Sequence, residues 1–510
     1  MTANRWWRDA VVYQIYPRSY ADANGDGVGD LAGITARLDH VARLGAQAIW
    51  LTPFQTSPQA DHGYDVSDYR DVDPLFGDLA AFDALVDRAH RLALKVIVDI
   101  VPNHASSEHP LFRAALAAGP GSSERARFHF ADGRGDQPPN NWPSVFGGPA
   151  WTRVPDGQWY LHLYAPQQPD WNWQDARTAD FFADVIRFWY DRGVDGLRID
   201  VAYGLVKADG LPNLADPATV QPMRLRGNPL ASDRDEVHDV YRRWRRIADS
   251  YDPPRALIGE VNLDDAERLA RYVRPDELHQ VFAFAFLAAP WDARAWQAAG
   301  SALSAQARAT APVTWVVENH DVVRSPTRYG GGARGFARGR AALLAILGLP
   351  GAAYVYQGQE LALPEVDLPS AAMQDPAWHR SGLSRDGCRV PLPWQADPAG
   401  AYGFSPPGSA PPWLPVPPGW GDYAGRDELC RTALRLRAAL LADGTLSADD
   451  PIEWTAYPDG RLIARRGNGF TLVVAMADDP VPLPPGAVLL TSAPLTAAGL
   501  LPADAAAWVR

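Results

Sequence analysis

The short segment Gly196–Asp200 places an arginine two residues before an aspartate at the end of an apolar stretch. Side chains alternate along a β-strand, so Arg198 and Asp200 are predicted to share one face while Leu197 and Ile199 pack on the other. A cation beside a carboxylate keeps that carboxylate ionised and oriented, as a carboxylate nucleophile requires. The string alone is weak evidence, because surface ion pairs give the same pattern.

Further polar side chains stand at the ends of neighbouring apolar stretches. They are Asn103, His104, Glu260, Asn319, His320 and Asp321. Asp200 and Glu260 suit the carboxyl pair of a retaining glycosidase, in which the two groups lie about 5–5.5 Å apart. Glu260 follows an apolar strand, and such surroundings favour a raised pKa and the role of general acid. For any single carboxylate the alternative is a structural ion pair in the core.

Eight short apolar segments must position these side chains. The predicted strands are Val11–Tyr16, Ala46–Thr52, Val96–Val101, Gly196–Val201, Ala256–Val261, Gln280–Phe286, Thr314–Glu318 and Ala352–Tyr356. Amphipathic stretches such as Leu79–Leu92, Thr178–Arg192 and Glu236–Ser250 lie between them. Strands that alternate with helices predict an α/β fold, the (β/α)₈ TIM barrel, whose active site lies at the carboxyl ends of the strands.

Two regions depart from this alternation. After the third strand, residues 105–170 are rich in Pro, Gly, Asn and Trp without helical periodicity, which predicts a small inserted domain, domain B. Beyond residue 447, short strands separated by Asp-Gly and Asn-Gly turns predict an all-β domain over residues 448–510. The barrel itself is therefore assigned to residues 1–104 and 171–447.

Composition excludes several classes of partner. The net charge of −12 argues against nucleic acid and against an anionic membrane surface. No apolar run approaches the ~20 residues that a membrane span needs, and no secretory signal is visible, so we expect a cytoplasmic protein. Cys388 and Cys430 are expected to be free thiols. The oligomeric state stays open.

The motifs together resemble those of α-glucosidases of the α-amylase superfamily (glycoside hydrolase family 13), in the oligo-1,6-glucosidase and maltase branch. The matching strings are Asp99–His104, Gln168–Asn172, Gly196–Asp200, Gly259–Val261, Asn319–Asp321 and Arg385–Trp394. The resemblance implies a retaining α-glucosidase. In it, Asp200 is the nucleophile, Glu260 is the acid/base, and Asp321 is a third carboxylate that grips the sugar hydroxyls.

The same resemblance implies a set of sugar-binding residues. His104, Arg198 and His320 match side chains that hydrogen-bond the glucose of the first subsite. Asp61 matches the carboxylate that holds the hydroxyls of the non-reducing end, with Tyr64 as a stacking platform and Arg389 as the partner of Asp61. An Asp–Arg pair across the far wall closes the site into a pocket, which implies an exo-acting enzyme that removes terminal glucose.

A glycine-rich loop over residues 22–30 carries oxygen-bearing side chains at alternating positions, which suits Ca²⁺ or Mg²⁺. It is not an EF-hand, because Gly33 stands where a bidentate glutamate is needed. The resemblance implies a structural ion bound by Asp22, Asn24, Asp26 and Asp30 with the carbonyl of Val28. The alternative is an Asx-turn loop without metal.

Two other functions stay open. A transglucosylase or isomerase acting on sucrose or maltose shares every catalytic residue and differs in how well the site excludes water. A catalytically silent barrel would lack the carboxylates that this chain has. The resemblance also implies that Val201, the residue after Asp200, favours acceptance of α-1,6 linkages. The next three residues depart from the oligo-1,6-glucosidase pattern, so the choice between α-1,4 and α-1,6 linkages stays open.

Overall fold

Eight parallel strands form the central sheet. The computed structural model describes residues 5–220, 223, 227–307 and 311–510, so residues 1–4 of the predicted barrel lie outside the described residues. The strands are Val11–Ile15, Ala48–Leu51, Lys95–Ile100, Gly196–Ile199, Ala256–Gly259, Gln280–Val281, Thr314–Val316 and Ala352–Tyr356. Strands that follow one another in the chain pair as far as the sixth, the seventh pairs with the eighth, and the eighth pairs with the first. A parallel bridge from Phe282 to Thr314 joins the sixth and seventh strands and closes the predicted (β/α)₈ barrel.

The sixth strand is shorter than the predicted segment Gln280–Phe286, and the prediction was wrong in this respect. Pairing extends only to Phe282, and residues Phe284–Leu287 form a short helix instead of continuing the strand. Phe286 packs edge-on against Trp315. The aromatic and apolar residues that suggested a longer strand are therefore those of a buried helical turn, a case that periodicity alone does not separate.

Helices surround the barrel. They are Leu31–Leu44, Leu79–Arg91, Ala176–Asp191, Val237–Asp249, Ala266–Arg271, Phe284–Leu287, Ala293–Ala307, Ser325–Arg328, Gly332–Gly348, Pro376–Ser381 and Glu428–Ala442. A further helix, Pro110–Ala118, lies in the inserted segment. Ala176–Asp191 shows why they form: Asp175 caps its first turn by accepting from the Arg177 N–H, and Phe182, Ile186 and Trp189 recur on its buried face. Such a stripe holds each helix on the strands.

Antiparallel strands occur in both regions that departed from the alternation. Phe130–Asp132, Trp151–Arg153 and Gln158–Leu161 form a three-stranded sheet after the third barrel strand. Ile452–Ala456, Arg461–Arg466, Thr471–Ala475, Val488–Thr491 and Ala506–Val509 form a five-stranded sheet at the end of the chain. The C-terminal sheet docks on the barrel helices, because Trp508 Nε1 donates to the Leu344 carbonyl at 3.1 Å. The all-β C-terminal domain is confirmed.

Two smaller expectations concern the whole chain. Cys388 and Cys430 are buried and free, as expected. Within the described ranges, no helix is both long enough and apolar enough to cross a bilayer.

Candidate active site

One guanidinium joins the two carboxyl groups at the ends of the fourth and fifth strands. Arg198 donates through Nη1 to Asp200 Oδ1 and through Nη2 to Glu260 Oε2, each at 2.7 Å. The two carboxyl oxygens are thus separated by no more than two hydrogen bonds and the width of one guanidinium. The shared cation therefore holds the two carboxyl groups side by side, as a pair that acts on one glycosidic bond requires.

A third carboxyl group, missed from the sequence, completes this cluster. Asp99 lies opposite Arg198 in the register of the third and fourth strands and accepts from its Nη1 at 3.0 Å. Burial raises the pKa of Asp99 to about 7, against the opposing charge of Arg198. Burial also raises the pKa of Asp200. Burial of Asp99 and Asp200 therefore disfavours full ionisation of both groups, and the charge of Arg198 opposes this effect.

The backbone of Val201 helps to hold Glu260. Val201 has φ +45°, a left-handed conformation that is strained for a β-branched residue. This conformation directs the Val201 N–H to Glu260 Oε2 at 3.0 Å. Glu260 therefore accepts from a guanidinium and from a backbone amide, and both hold its carboxyl group beside Asp200.

The far end of the site is closed by an ion pair that differs from the predicted one. Arg385, and not Arg389, is the partner of Asp61: Arg385 Nη2 lies 2.9 Å from Asp61 Oδ1. Arg385 also bonds to Asp375, with Nη2 2.8 Å from Oδ1, and to Asp321, with Nη1 3.2 Å from Oδ1. Two residues, Arg385 and Asp375, thus belong to the candidate site without having been assigned to it from the sequence.

Arg389 lies behind the site. It donates through Nη2 to Asp321 Oδ1 at 2.9 Å and through Nε to the His320 carbonyl at 2.8 Å. The 3₁₀ turn Asp386–Cys388 separates it from Arg385, so the two arginines reach different partners. Although burial raises the pKa of Asp321, the contact with His320 Nε2 and the charges of Arg385 and Arg389 bring it below its usual value. Asp321 is therefore held as a carboxylate.

Tyr64 and the two predicted histidines form one packed group. Tyr64 Oη lies 2.7 Å from His320 Nε2, and the two rings are stacked 5.5 Å apart. His104 Nε2 lies 3.0 Å from the Tyr64 carbonyl oxygen and 3.1 Å from Gln168 Nε2. Gln168 in turn donates to Asp61 Oδ2 at 3.0 Å. Burial lowers the pKa of His104 and of His320 to about 3, so both rings are neutral at physiological pH.

A buried lysine supports the packed group of Tyr64, His104 and His320. Lys207 Nζ and Asp170 Oδ2 are 2.8 Å apart, and both side chains are 0% exposed. Lys207 also donates to Asn103 Oδ1 at 2.8 Å, next to His104 in the chain. The pair ties the loop after the fourth strand to the end of the inserted segment, and so holds the His104 backbone in place.

These elements surround a cavity of about 570 Å³. Its lining includes the three predicted catalytic carboxyl groups, Asp200, Glu260 and Asp321, with Asp61, Tyr64, His104 and Arg385. A volume in this range fits a small organic ligand. Arg198, His320 and Arg389 are at most 2% exposed and stand behind the lining, where they orient the residues that face the cavity.

The predicted metal loop is stabilised by its own backbone. Asp22 accepts from the Gly25 and Gly27 N–H groups at 2.7 and 2.9 Å, and Asp30 accepts from Gly33 at the start of the first helix. In the part of the chain that the structure describes, no three His, Cys, Asp or Glu side chains converge to hold an ion. The predicted set also needs an amide and a carbonyl oxygen, and metal binding stays a prediction.

Known proteins share this sequence and architecture. A family model for the alpha-amylase catalytic domain matches residues 14–433. The chain belongs to the alpha-amylase family. Among its relatives in this family, a probable alpha-glucosidase of Rhizobium meliloti (strain 1021) is 41% identical over 436 residues, covering 81% of this chain and 77% of the relative. An oligo-1,6-glucosidase of Parageobacillus thermoglucosidasius is 32% identical over 454 residues, covering 82% of this chain and 79% of the relative.

Solved structures of other enzymes superpose on nearly the whole chain. An alpha-glucosyl transfer enzyme gives a TM-score of 0.89 at 35% identity and covers 99% of both chains. Isomaltulose synthase from Erwinia rhapontici NX5 gives a TM-score of 0.88 at 25% identity, with 99% of this chain and 98% of that chain covered. The similar solved structures thus include a transfer enzyme and a synthase, whereas the sequence relatives named above are glucosidases.

Proposed function

We propose that this chain is a retaining, exo-acting α-glucosidase that releases terminal glucose from short α-glucosides. The observation that carries the proposal is the double hydrogen bond from Arg198 to Asp200 and Glu260, which holds the two carboxyl groups side by side on one cavity. Retaining hydrolysis needs that proximity, because one group attacks the sugar while the other protonates the departing oxygen.

The reaction proceeds in two displacements. Asp200 attacks the anomeric carbon, and Glu260 gives its proton to the glycosidic oxygen, so that the aglycone leaves as an alcohol and a glucosyl ester forms on Asp200. Glu260, now a carboxylate, then takes a proton from water, which attacks the same carbon and frees Asp200. The Val201 amide and the Arg198 guanidinium stabilise the anionic form of Glu260 between the two steps.

The other charged residues bind the glucose. Asp321, held as a carboxylate by Arg385 and Arg389, accepts hydrogen bonds from ring hydroxyls that strengthen as the ring distorts. Asp61 holds the terminal hydroxyls. Because the pair of Asp61 and Arg385 spans the end of the cavity, a chain that continued past the terminal glucose would collide with it. That closure supports exo action on short substrates.

The relatives support hydrolysis, since they include a probable alpha-glucosidase and an oligo-1,6-glucosidase. The alternative is a transglucosylase or isomerase acting on sucrose or maltose. It is favoured by one specific observation, the 35% identity to an alpha-glucosyl transfer enzyme over 99% of the chain.

We further propose a cytoplasmic enzyme with a structural Ca²⁺ or Mg²⁺ in the 22–30 loop, without a partner nucleic acid or membrane. The two buried free thiols support that location.

Time-resolved product analysis on maltose, isomaltose, maltotriose and sucrose separates these functions. The proposal expects free glucose from the first time point, and the relative rates rank the linkages that Val201 accommodates. New disaccharides or trisaccharides that precede free glucose would instead identify a transferase or an isomerase.

A further inference from the structure

Arg324 is a buried arginine that lies behind the candidate active site. It follows Asp321 by three residues in the loop after the seventh strand, and it is 1% exposed. Its guanidinium donates through Nη1 to the Gln357 carbonyl at 3.1 Å and through Nη2 to the Cys388 carbonyl at 2.8 Å. Arg324 therefore joins the loop that carries Asp321 to the segment that follows the eighth strand.

The Cys388 carbonyl has a second buried donor. Tyr356 Oη donates to it at 3.0 Å, and the guanidinium of Arg324 lies over the Tyr356 ring, 4.6 Å from its centroid. Gly358 permits this close packing, since it has φ +86° and a Cβ there would lie 3.1 Å from Arg324 Nη1 and 2.5 Å from Leu363 Cδ1. Two side chains that do not line the cavity thus fix the position of the Cys388 carbonyl.

Cys388 ends the 3₁₀ turn between Arg385 and Arg389, and both of these arginines reach Asp321. Arg385 Nη1 and Arg389 Nη2 lie 3.2 and 2.9 Å from the same oxygen, Asp321 Oδ1. The contacts form a closed ring, because the chain joins Asp321 to Arg324, Arg324 bonds to Cys388, and the turn joins Cys388 to the two arginines. A shift of Cys388 would therefore move both guanidinium groups relative to Asp321.

A buried carboxyl group accompanies Arg324. Glu318 Oε2 lies 3.5 Å from Arg324 Nη1, and both side chains are 1% exposed. Glu318 Oε1 accepts from the Ser325 N–H at 3.0 Å, in the same loop. A guanidinium at this depth is costly unless it is paired, and its planar fork reaches two carbonyl groups at once, which an ammonium on a single stem does not.

We propose that Arg324 is a positioning residue for the reaction: it fixes the turn that carries Arg385 and Arg389, and through them the orientation of Asp321. This inference rests on the proposed function, because it takes Asp321 as the carboxylate that binds the ring hydroxyls. Contacts that strengthen as the ring distorts act on the transition state, so a displaced Asp321 lowers kcat more than it raises KM.

The test measures kcat and KM for fluoride release from α-glucosyl fluoride by the wild type and three variants. Fluoride release counts turnovers whether the glucosyl group passes to water or to another sugar. Arg324→Lys keeps the charge without reaching both carbonyl groups, so kcat is expected to fall about 10- to 100-fold while KM changes by less than about threefold. Tyr356→Phe removes one donor to Cys388 and leaves every charge in place, and it is expected to lower kcat about two- to tenfold.

Arg437→Lys is the matched control. Arg437 is 3% exposed and, like Arg324, donates to backbone carbonyl groups, but it does so at the amino end of the eighth strand. Its acceptors are the carbonyl groups of Leu347, Leu349 and Gly351. Its replacement is expected to lower Tm as Arg324→Lys does, while kcat stays at the wild-type value.

Three outcomes would overturn the inference while leaving the glucosidase intact: a wild-type kcat in Arg324→Lys, an equal fall of kcat in Arg437→Lys, or a rise in KM alone. Failure of the proposed function is distinguishable from these. Fluoride release by the wild type without free glucose would identify a transferase, in which the same comparison of kcat still tests Arg324. If the wild type released no fluoride, both proposals would be overturned.

Discussion

Arg385 donates through Nη2 to Asp61 Oδ1 at 2.9 Å, and so ties the loop after the eighth strand to the turn after the second. The side chains of Arg385 and Asp61 are 10% and 5% exposed. An ion pair so removed from water is well aligned and only weakly screened by salt. It forms a wall that fixes how far a substrate can extend beyond the glucose.

Asp61→Asn is expected to weaken substrate binding without unfolding the protein, since Arg385 keeps Asp375 and Asp321 as partners. A hydrogen bond to a charged group contributes about 1.5–3 kcal/mol, so kcat/KM on maltose should fall about 10- to 150-fold. The control is Asp136→Asn, an 88% exposed carboxylate of the inserted segment. If Asp61→Asn kept the kcat/KM of the wild type, Asp61 would not belong to the substrate-binding site.

The titration of Glu365 is expected to contribute stability that falls as the pH rises toward neutrality. Burial raises the pKa of Glu365 to about 7, whereas an unfolded glutamate titrates near about 4.3. Between these values the folded state binds more protons than the unfolded state, so the free energy of unfolding decreases as pH rises. Asp99, with its pKa raised to about 7, acts in the same direction.

The Glu365→Gln variant tests this sign. It keeps an acceptor for the Arg324 N–H, which lies 2.9 Å from Glu365 Oε2, and removes the titration. In thermal unfolding from pH 5 to pH 8, the Tm of the wild type should fall relative to the Tm of Glu365→Gln as the pH rises. Glu453→Gln, on the exposed face of the C-terminal sheet, serves as the control. The same dependence of Tm on pH in all three proteins would contradict the assignment.

Lys207→Met is expected to destabilise the fold by about 3–5 kcal/mol, because it leaves the Asp170 carboxylate buried without its cation. The double variant with Asp170→Asn should recover part of this loss. Lys95→Met is the matched control: Lys95 pairs with Asp195 at 3.0 Å but is 36% exposed, so its loss should cost under about 1 kcal/mol. Urea unfolding measures all three, and equal losses for the two lysines would contradict the argument from burial.

Added Ca²⁺ is expected to raise Tm if the loop of residues 22–30 binds it. At a concentration of about 100 times Kd, a ligand that binds only the folded state stabilises it by about 2.7 kcal/mol. Asp26→Asn should abolish the gain, and a chelator should reverse it. An identical Tm in Ca²⁺ and in chelator would show that the backbone hydrogen bonds of Asp22 and Asp30 hold the loop without an ion.

The strand positions and the central carboxyl pair could be predicted because both depend on local pattern. A buried strand shows as a short apolar run, and alternation places Arg198 and Asp200 on one face. The sixth strand was overextended, because Phe284–Leu287 is apolar in either conformation. Its helical turn depends on packing against Trp315, which no local pattern contains.

The partners of the charged residues could not be predicted in the same way. Arg385 and Arg389 lie in one motif, and which of them reaches Asp61 depends on the direction of the 3₁₀ turn between them. Asp375 is distant from any motif and joins the site through Arg385. Asp99 was the exception with a visible signal: it stands at the end of the third strand, in the string that also contains His104.

The most direct test of the account is to trap the glucosyl-enzyme. Glu260→Gln cannot assist departure of a poor leaving group or activate water, but α-glucosyl fluoride needs no proton to react. Intact mass spectrometry of this variant with the fluoride should show one added glucosyl group, and peptide mapping should locate it on Asp200. No adduct, or an adduct on any other residue, would contradict the assignment of Asp200 as the nucleophile held by Arg198.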